Sequence, residues 1–71
     1  MRLRKYGFVI DNVRGSTLPR LYKALAEASQ LTGMYFDDVS HVLRVEALGD
    51  PEKSIRIACE SAGAAFRTRL R

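Results

Sequence analysis

From Lys5 to Val13 the chain reads KYGFVIDNV, a run rich in aromatic and β-branched residues that predicts a strand. Gly15 breaks it. Ser16 and Thr17 then offer side-chain oxygens suited to a helix N-cap, and Pro19 fits a first helical turn, where its missing N–H costs little. Leu18, Leu21, Leu25 and Ala28 follow helical spacing, with Tyr22 and Ala24 flanking the stripe, and Thr32 and Gly33 close the predicted helix.

The following stretch, GMYFDDVSHVLRVEAL, predicts a hairpin. Met34 to Phe36 form its first strand, Asp37, Asp38 and Ser40 supply turn chemistry, and His41 to Leu48 form the return strand. There Leu43, Val45 and Ala47 alternate with Val42, Arg44 and Glu46, the period of a half-buried strand. Asp50 is placed to cap a second helix, with Pro51 and Glu52 in its first turn. Ile55, Ala58, Cys59 and Ala62 line one face of that helix, and Gly63 stops it. In the closing AAFRTRLR, Phe66, Thr68 and Leu70 alternate with Arg67, Arg69 and Arg71, which predicts one more half-buried strand.

Strand, helix, strand, strand, helix, strand is an α+β order. With right-handed crossovers it gives a ferredoxin-like βαββαβ sandwich: a four-stranded antiparallel sheet with both helices on one face. The first and last strands are then antiparallel neighbours.

Length and composition fit that expectation. Seventy-one residues predict one domain over 1–71, and 46% hydrophobic with 28% charged residues is the balance of a folded globule. No apolar run approaches the ~20 residues that span a bilayer, so no membrane insertion is expected. The basic start MRLRKYGFVI meets Asp11 and Asn12 too soon to be a secretion signal. Cys59 is alone, no intramolecular disulfide can form, and a reducing cytoplasm is the expected location.

Charge adds a question of place. The formal net charge is +4, and six of the twelve basic residues stand at the two ends: Arg2, Arg4 and Lys5, then Arg67, Arg69 and Arg71. The topology brings these ends to one corner. The cluster reads either as solvated chain ends or as a surface for an anionic partner.

Between the first strand and first helix lies VRGSTLPRL. In placement it resembles the loop of the heavy-metal-associated domains, the module of copper chaperones and of the N-terminal arms of metal-pumping P-type ATPases. That family carries G-M-x-C-x-x-C there. In this chain Val13-Arg14-Gly15 matches the approach, Ser16 replaces the methionine, and Leu18 and Leu21 replace the two cysteines. Downstream, LTGMYF resembles the family's entry to its second strand, and IACESAGAAF its I-E-x-A-G-Y ending, with Phe66 near the usual aromatic. The resemblance implies the same fold and a binding role, without the family's metal chemistry. Cu(I) and Zn(II) are held there by thiolates, and leucine has no donor atom. No cofactor is therefore expected. Leu18 and Leu21 extend the first helix's apolar stripe into the core or present a small apolar patch.

Other donors are scattered. Cys59 falls on an apolar helix face, His41 at a strand entrance beside a turn, and Met34 at an apolar position of the resemblance. Enzymatic readings find little: Ser16, His41 and Asp11 have no fixed geometry, and RGST lacks the glycines and lysine of a phosphate loop. The RNA-recognition motif shares this strand order, and Tyr6 and Phe8 could serve as stacking aromatics, but HVLRVEA carries none.

The expected function is a small binding or regulatory module that docks to a protein partner. The candidate binding loop is Arg14, Gly15, Ser16, Thr17, Leu18, Arg20, Leu21 and Tyr22, with Lys23 beside it. The candidate anionic-partner surface is Arg2, Arg4, Lys5, Arg67, Arg69 and Arg71. Two alternatives stand beside it. One is a noncanonical copper or zinc carrier that borrows ligands from a second copy or a partner. The other is nucleic-acid binding through the basic terminal strands.

Overall fold

The structure, a computed structural model, describes residues 2–28 and 31–70. Its elements are β1 (Leu3–Asp11), α1 (Thr17–Ala26), β2 (Leu31–Asp37), β3 (Val42–Leu48), α2 (Glu52–Ala62) and β4 (Ala65–Leu70). The strands form one sheet in the order β2-β3-β1-β4, with every neighbouring pair antiparallel. This is the ferredoxin-like arrangement expected from the hydrophobic pattern.

Strand alternation selects the buried face. Phe8 and Ile10 of β1, Leu43 and Val45 of β3 and Phe36 of β2 join Leu21, Leu25, Ile55 and Cys59 of the helices in one core cluster. Both helices therefore cover the same side of the sheet. The opposite face carries Lys5, Gly7, Arg44 and Glu46, cross-strand neighbours in two adjacent rows. Burying leucine- and phenylalanine-sized side chains stabilises by roughly 1.5–3 kcal/mol each, so this cluster is what holds so short a chain folded.

Several boundaries differ from the expected ones. β1 spans Leu3–Asp11 rather than Lys5–Val13. It starts early because β3 reaches far enough to pair Leu48 with Leu3, and it stops at Asp11 because Asn12 turns to a positive φ of 62°. α1 ends at Ala26, not at Thr32 and Gly33. The turn is closed by Ala28 N–H to Leu25 O and Leu31 N–H to Ala28 O, at 3.0 and 3.1 Å. Thr32 and Gly33 belong to β2, which is longer than Met34–Phe36, because Leu31 and Gly33 find ladder partners in Ala47 and Glu46. Ladder pairing with β3 outcompetes local helix propensity there.

The caps are also revised. Ser16 holds the N-cap position of α1 but in a helical conformation (φ −74°, ψ −9°), and its side chain makes no capping bond. At α2 the N-cap position is Pro51, and Asp50 acts from one residue further out by accepting the Glu52 N–H at 3.0 Å. Gly63 ends α2 in the left-handed region (φ 81°), as a C-terminal glycine should.

The alternation predicted for β4 does not hold. Val9 pairs with Thr68 and Ile10 with Phe66, so Arg67 has no opposite number and the strand bulges. Phe66 and Arg69 consequently share the helix side with Ile10 and Phe8, while Thr68 and Leu70 lie on the open face with Val9 and Gly7. Arg67 and Arg69 do not form one row.

Candidate functional site

Two regions answer to the expected sites. At the first, Asn12 to Ser16 carry the chain from β1 into α1. Asn12 and Gly15 both take positive φ, 62° and 47°, a region that asparagine and glycine tolerate. Arg14 O accepts the Thr17 N–H at 2.8 Å, which closes the turn before the helix. The Asn12 side chain donates to Gly63 O at 2.9 Å and so ties this loop to the end of α2. That tie was not read from the sequence; an asparagine at a strand end was its only signal.

Within the loop the side chains divide sharply. Leu21 is fully buried, and Leu18 is half-buried against the core. Tyr22 is also half-buried, and its hydroxyl accepts the Phe36 N–H at 3.0 Å, so it is held to the edge strand β2. Arg14, Gly15, Ser16 and Arg20 are exposed, and Thr17 is intermediate. Arg14, Arg20 and Lys23 make no ion pair among the described residues. Leu18 and Leu21 thus turn hydrocarbon toward the core, beside the exposed cations Arg14, Arg20 and Lys23.

The second region is the corner where β1 begins and β4 ends. Arg2, Arg4 and Arg69 come together there, lining with Tyr6, Gly49 and Asp50 a hollow of about 400 Å³. Arg69 Nη1 lies 2.8 Å from Asp50 Oδ2 and 3.6 Å from Glu52 Oε1, and its guanidinium stands 5.2 Å from the Tyr6 ring centre. These contacts raise the Arg69 pKa, chiefly through the Asp50 hydrogen bond. The Asp50 carboxyl is held below its ordinary value, first by the Glu52 N–H and then by Arg69. Arg67 leans away from this corner and pairs with Asp11 at 3.1 Å. Arg71 lies outside the described residues. Among the described residues, the cations here that make no ion pair are Arg2, Arg4 and Lys5.

The donors considered for metal are apart in character. Cys59 is buried, and burial pushes its thiol up to about 11. His41 is exposed in the hairpin turn at φ 60°, and Met34 packs against the core. No group of three His, Cys, Asp or Glu side chains is placed to hold a cation among the described residues. The Asp37 carboxylate caps the hairpin by accepting the Val39 N–H at 2.9 Å, which lowers its pKa. No hydrogen bond joins Ser16, His41 and Asp11 among the described residues. Tyr6 and Phe8 both face the helix side, with Phe8 fully buried, so they form no base-stacking platform on the open face. No described helix is long and apolar enough to cross a membrane.

The element order and sheet topology define a ferredoxin-like domain. No family model matches the chain, and no curated protein does. Among solved structures it is similar to the solution structure of the N-terminal domain of ZntA in the apo-form, with a TM-score of 0.85 and 14% identity over 97% of this chain and 96% of that one. At such identity the likeness carries the fold and leaves function to the residues.

Proposed function

We infer that this chain is a small binding or regulatory module that keeps a metal-carrier-like scaffold, does not use its α1 loop to hold metal, and acts by docking to a protein partner rather than by catalysis. One observation carries the reading: Leu18 and Leu21, at the positions where the family resemblance calls for thiolates, are packed into or against the core. Soft metal ions require donor atoms that neither residue has. Lone buried Cys59, with its raised pKa, does not replace them. The exposed cations around the loop and at the β1–β4 corner suit an acidic protein surface, where charge mainly speeds and orients encounter.

The test is a titration of the isotope-labelled chain with Cu(I), and separately Zn(II), under reducing conditions, followed by amide NMR shifts. The reading expects no saturable shift between Gly15 and Leu21. Saturation of those amides at a defined metal ratio overturns it in favour of a carrier.

A further inference from the structure

Both helices pack on one side of the sheet, and no described element covers the other. Six large hydrophobic side chains are exposed among the described residues, and four of them lie on that open face: Leu3, Tyr35, Leu48 and Leu70. Apolar side chains gathered on one face and set among charges mark an interaction surface.

Strand register arranges this face in cross-strand rows. Leu3 stands beside Leu48, and in the next row Lys5 stands beside Glu46. A third row runs Tyr35, Arg44, Gly7, Leu70 from β2 to β4. In each row the β1–β4 half complements the β3–β2 half. Leucine answers leucine, lysine answers glutamate, and glycine with leucine answers arginine with tyrosine. Lys5 and Glu46 make no ion pair with each other; Glu46 accepts only the Thr32 hydroxyl at 3.4 Å. Leu70 leans over Gly7, its Cδ1 3.1 Å from where a Cβ would stand, and so makes a low apolar floor opposite the tall pair of Arg44 and Tyr35.

That complementarity has a symmetry. A two-fold axis lying in the face, parallel to the strands and midway between β1 and β3, carries β3 of one copy over β1 of another. Lys5 then meets Glu46 of the second copy, and Leu3 meets its Leu48. Arg44 lays its hydrocarbon stem on the floor formed by Gly7 and Leu70 of the second copy. Each contact occurs twice, as an isologous interface requires. The strands of the two sheets stay aligned apart from the offset that twist imposes, which is ordinary sandwich packing.

We propose that the open sheet face binds a second copy of this chain, giving a two-fold sandwich dimer held by reciprocal Lys5–Glu46 pairs and an apolar surround. The molecule measures 35 × 24 × 16 Å, so its broad side is on the order of 800 Å², the share that one partner gives to a standard interface. The sheet fills only part of that side, which sets the pair among small, reversible interfaces. Nucleic acid suits this face less, because Glu46 and Asp37 stand among its cations and would oppose phosphates. A uniformly acidic protein would meet the same two carboxylates. The dimer goes beyond the docking reading and does not depend on it.

The experiment is sedimentation of the full chain over a range of concentrations, beside the variants Lys5→Glu and Glu46→Lys. Each variant alone sets like charges against each other at two places, and each should dimerise about tenfold or more weakly than the parent. Mixed in equal amounts, the two variants should pair with each other, because every like-charge contact then becomes an opposite one. Circular dichroism reports that both variants are folded. In the labelled parent, amide shifts that follow concentration should gather at Lys5, Gly7, Tyr35, Arg44 and Glu46. A parent that stays monomeric at NMR concentrations overturns the proposal. So do a dimer that both single variants preserve, a mixture as monomeric as its components, and concentration-dependent shifts confined to Gly15 to Leu21. None of these results touches the docking reading, which the metal titration tests.

Discussion

Phe66 and Arg69 share the helix side of β4 although they stand three positions apart, because Arg67 between them is bulged out of the ladder. The bulge puts Phe66 against Phe8, with ring centres 5.7 Å apart, and lets Arg56 of α2 stand 4.2 Å over the Phe66 ring. It also aims Arg69 at Asp50 and Glu52, at the start of α2. A strand edge and a helix N-terminus are thereby joined through one side chain.

That junction titrates. The Asp50 and Asp37 carboxyls are both depressed in the folded state, the first mainly by the Glu52 N–H and the second mainly by the Val39 N–H. Their contribution is fully present above the unfolded carboxyl value of about 3.9 and is lost as pH falls through the lower folded values. Denaturant midpoints should be flat from pH 7 to about 5 and decline below 4. Asp50→Asn, which keeps a neutral acceptor for the Glu52 N–H, should show a shallower acid decline than the parent. An unchanged slope would show that Asp50 adds nothing to acid sensitivity.

Removing the Tyr22 hydroxyl tests the tie between α1 and the edge strand. Tyr22→Phe leaves the ring in place but strips the Phe36 N–H of its acceptor. The expected cost is about 1 kcal/mol in urea unfolding, with faster hydrogen exchange at Phe36 in particular. Loss of stability without a change at Phe36 would mean that the hydroxyl acts elsewhere.

The two loop leucines should separate in stability. Leu21 is fully buried and Leu18 only half-buried. Leu21→Ala should cost about 2–5 kcal/mol, a large share of a small domain's total, and Leu18→Ala clearly less. Equal and small losses at both positions would put them at a surface patch rather than in the core.

Cys59 should be chemically quiet while the chain is folded. It is 1% exposed and its thiol is raised to about 11 by burial. At pH 8 alkylation by iodoacetamide should be slow, and should accelerate sharply across the unfolding transition. Rapid labelling of the native protein would contradict its place in the core.

Most of the fold was legible because its signals are local and repeat. Leu43, Val45 and Ala47 alternate as a strand must, and all three are buried. Ile55, Ala58, Cys59 and Ala62 recur as one helix face must, and all four are buried.

The rest depended on partners distant in sequence. The start of β1 at Leu3 was set by Leu48, and the early end of α1 by the pairing of Leu31 and Gly33 with β3. The arginines of β4 show the same limit. Their alternation predicts one row of cations, yet the bulge at Arg67 reverses the strand's parity, sending Arg67 to Asp11 and Arg69 to Asp50. By itself the sequence determined which elements form and, β4 excepted, which faces they bury, because side-chain type and local period decide those. Only the tertiary structure decided register and which charges pair, because each is settled by a neighbour that the linear chain does not place.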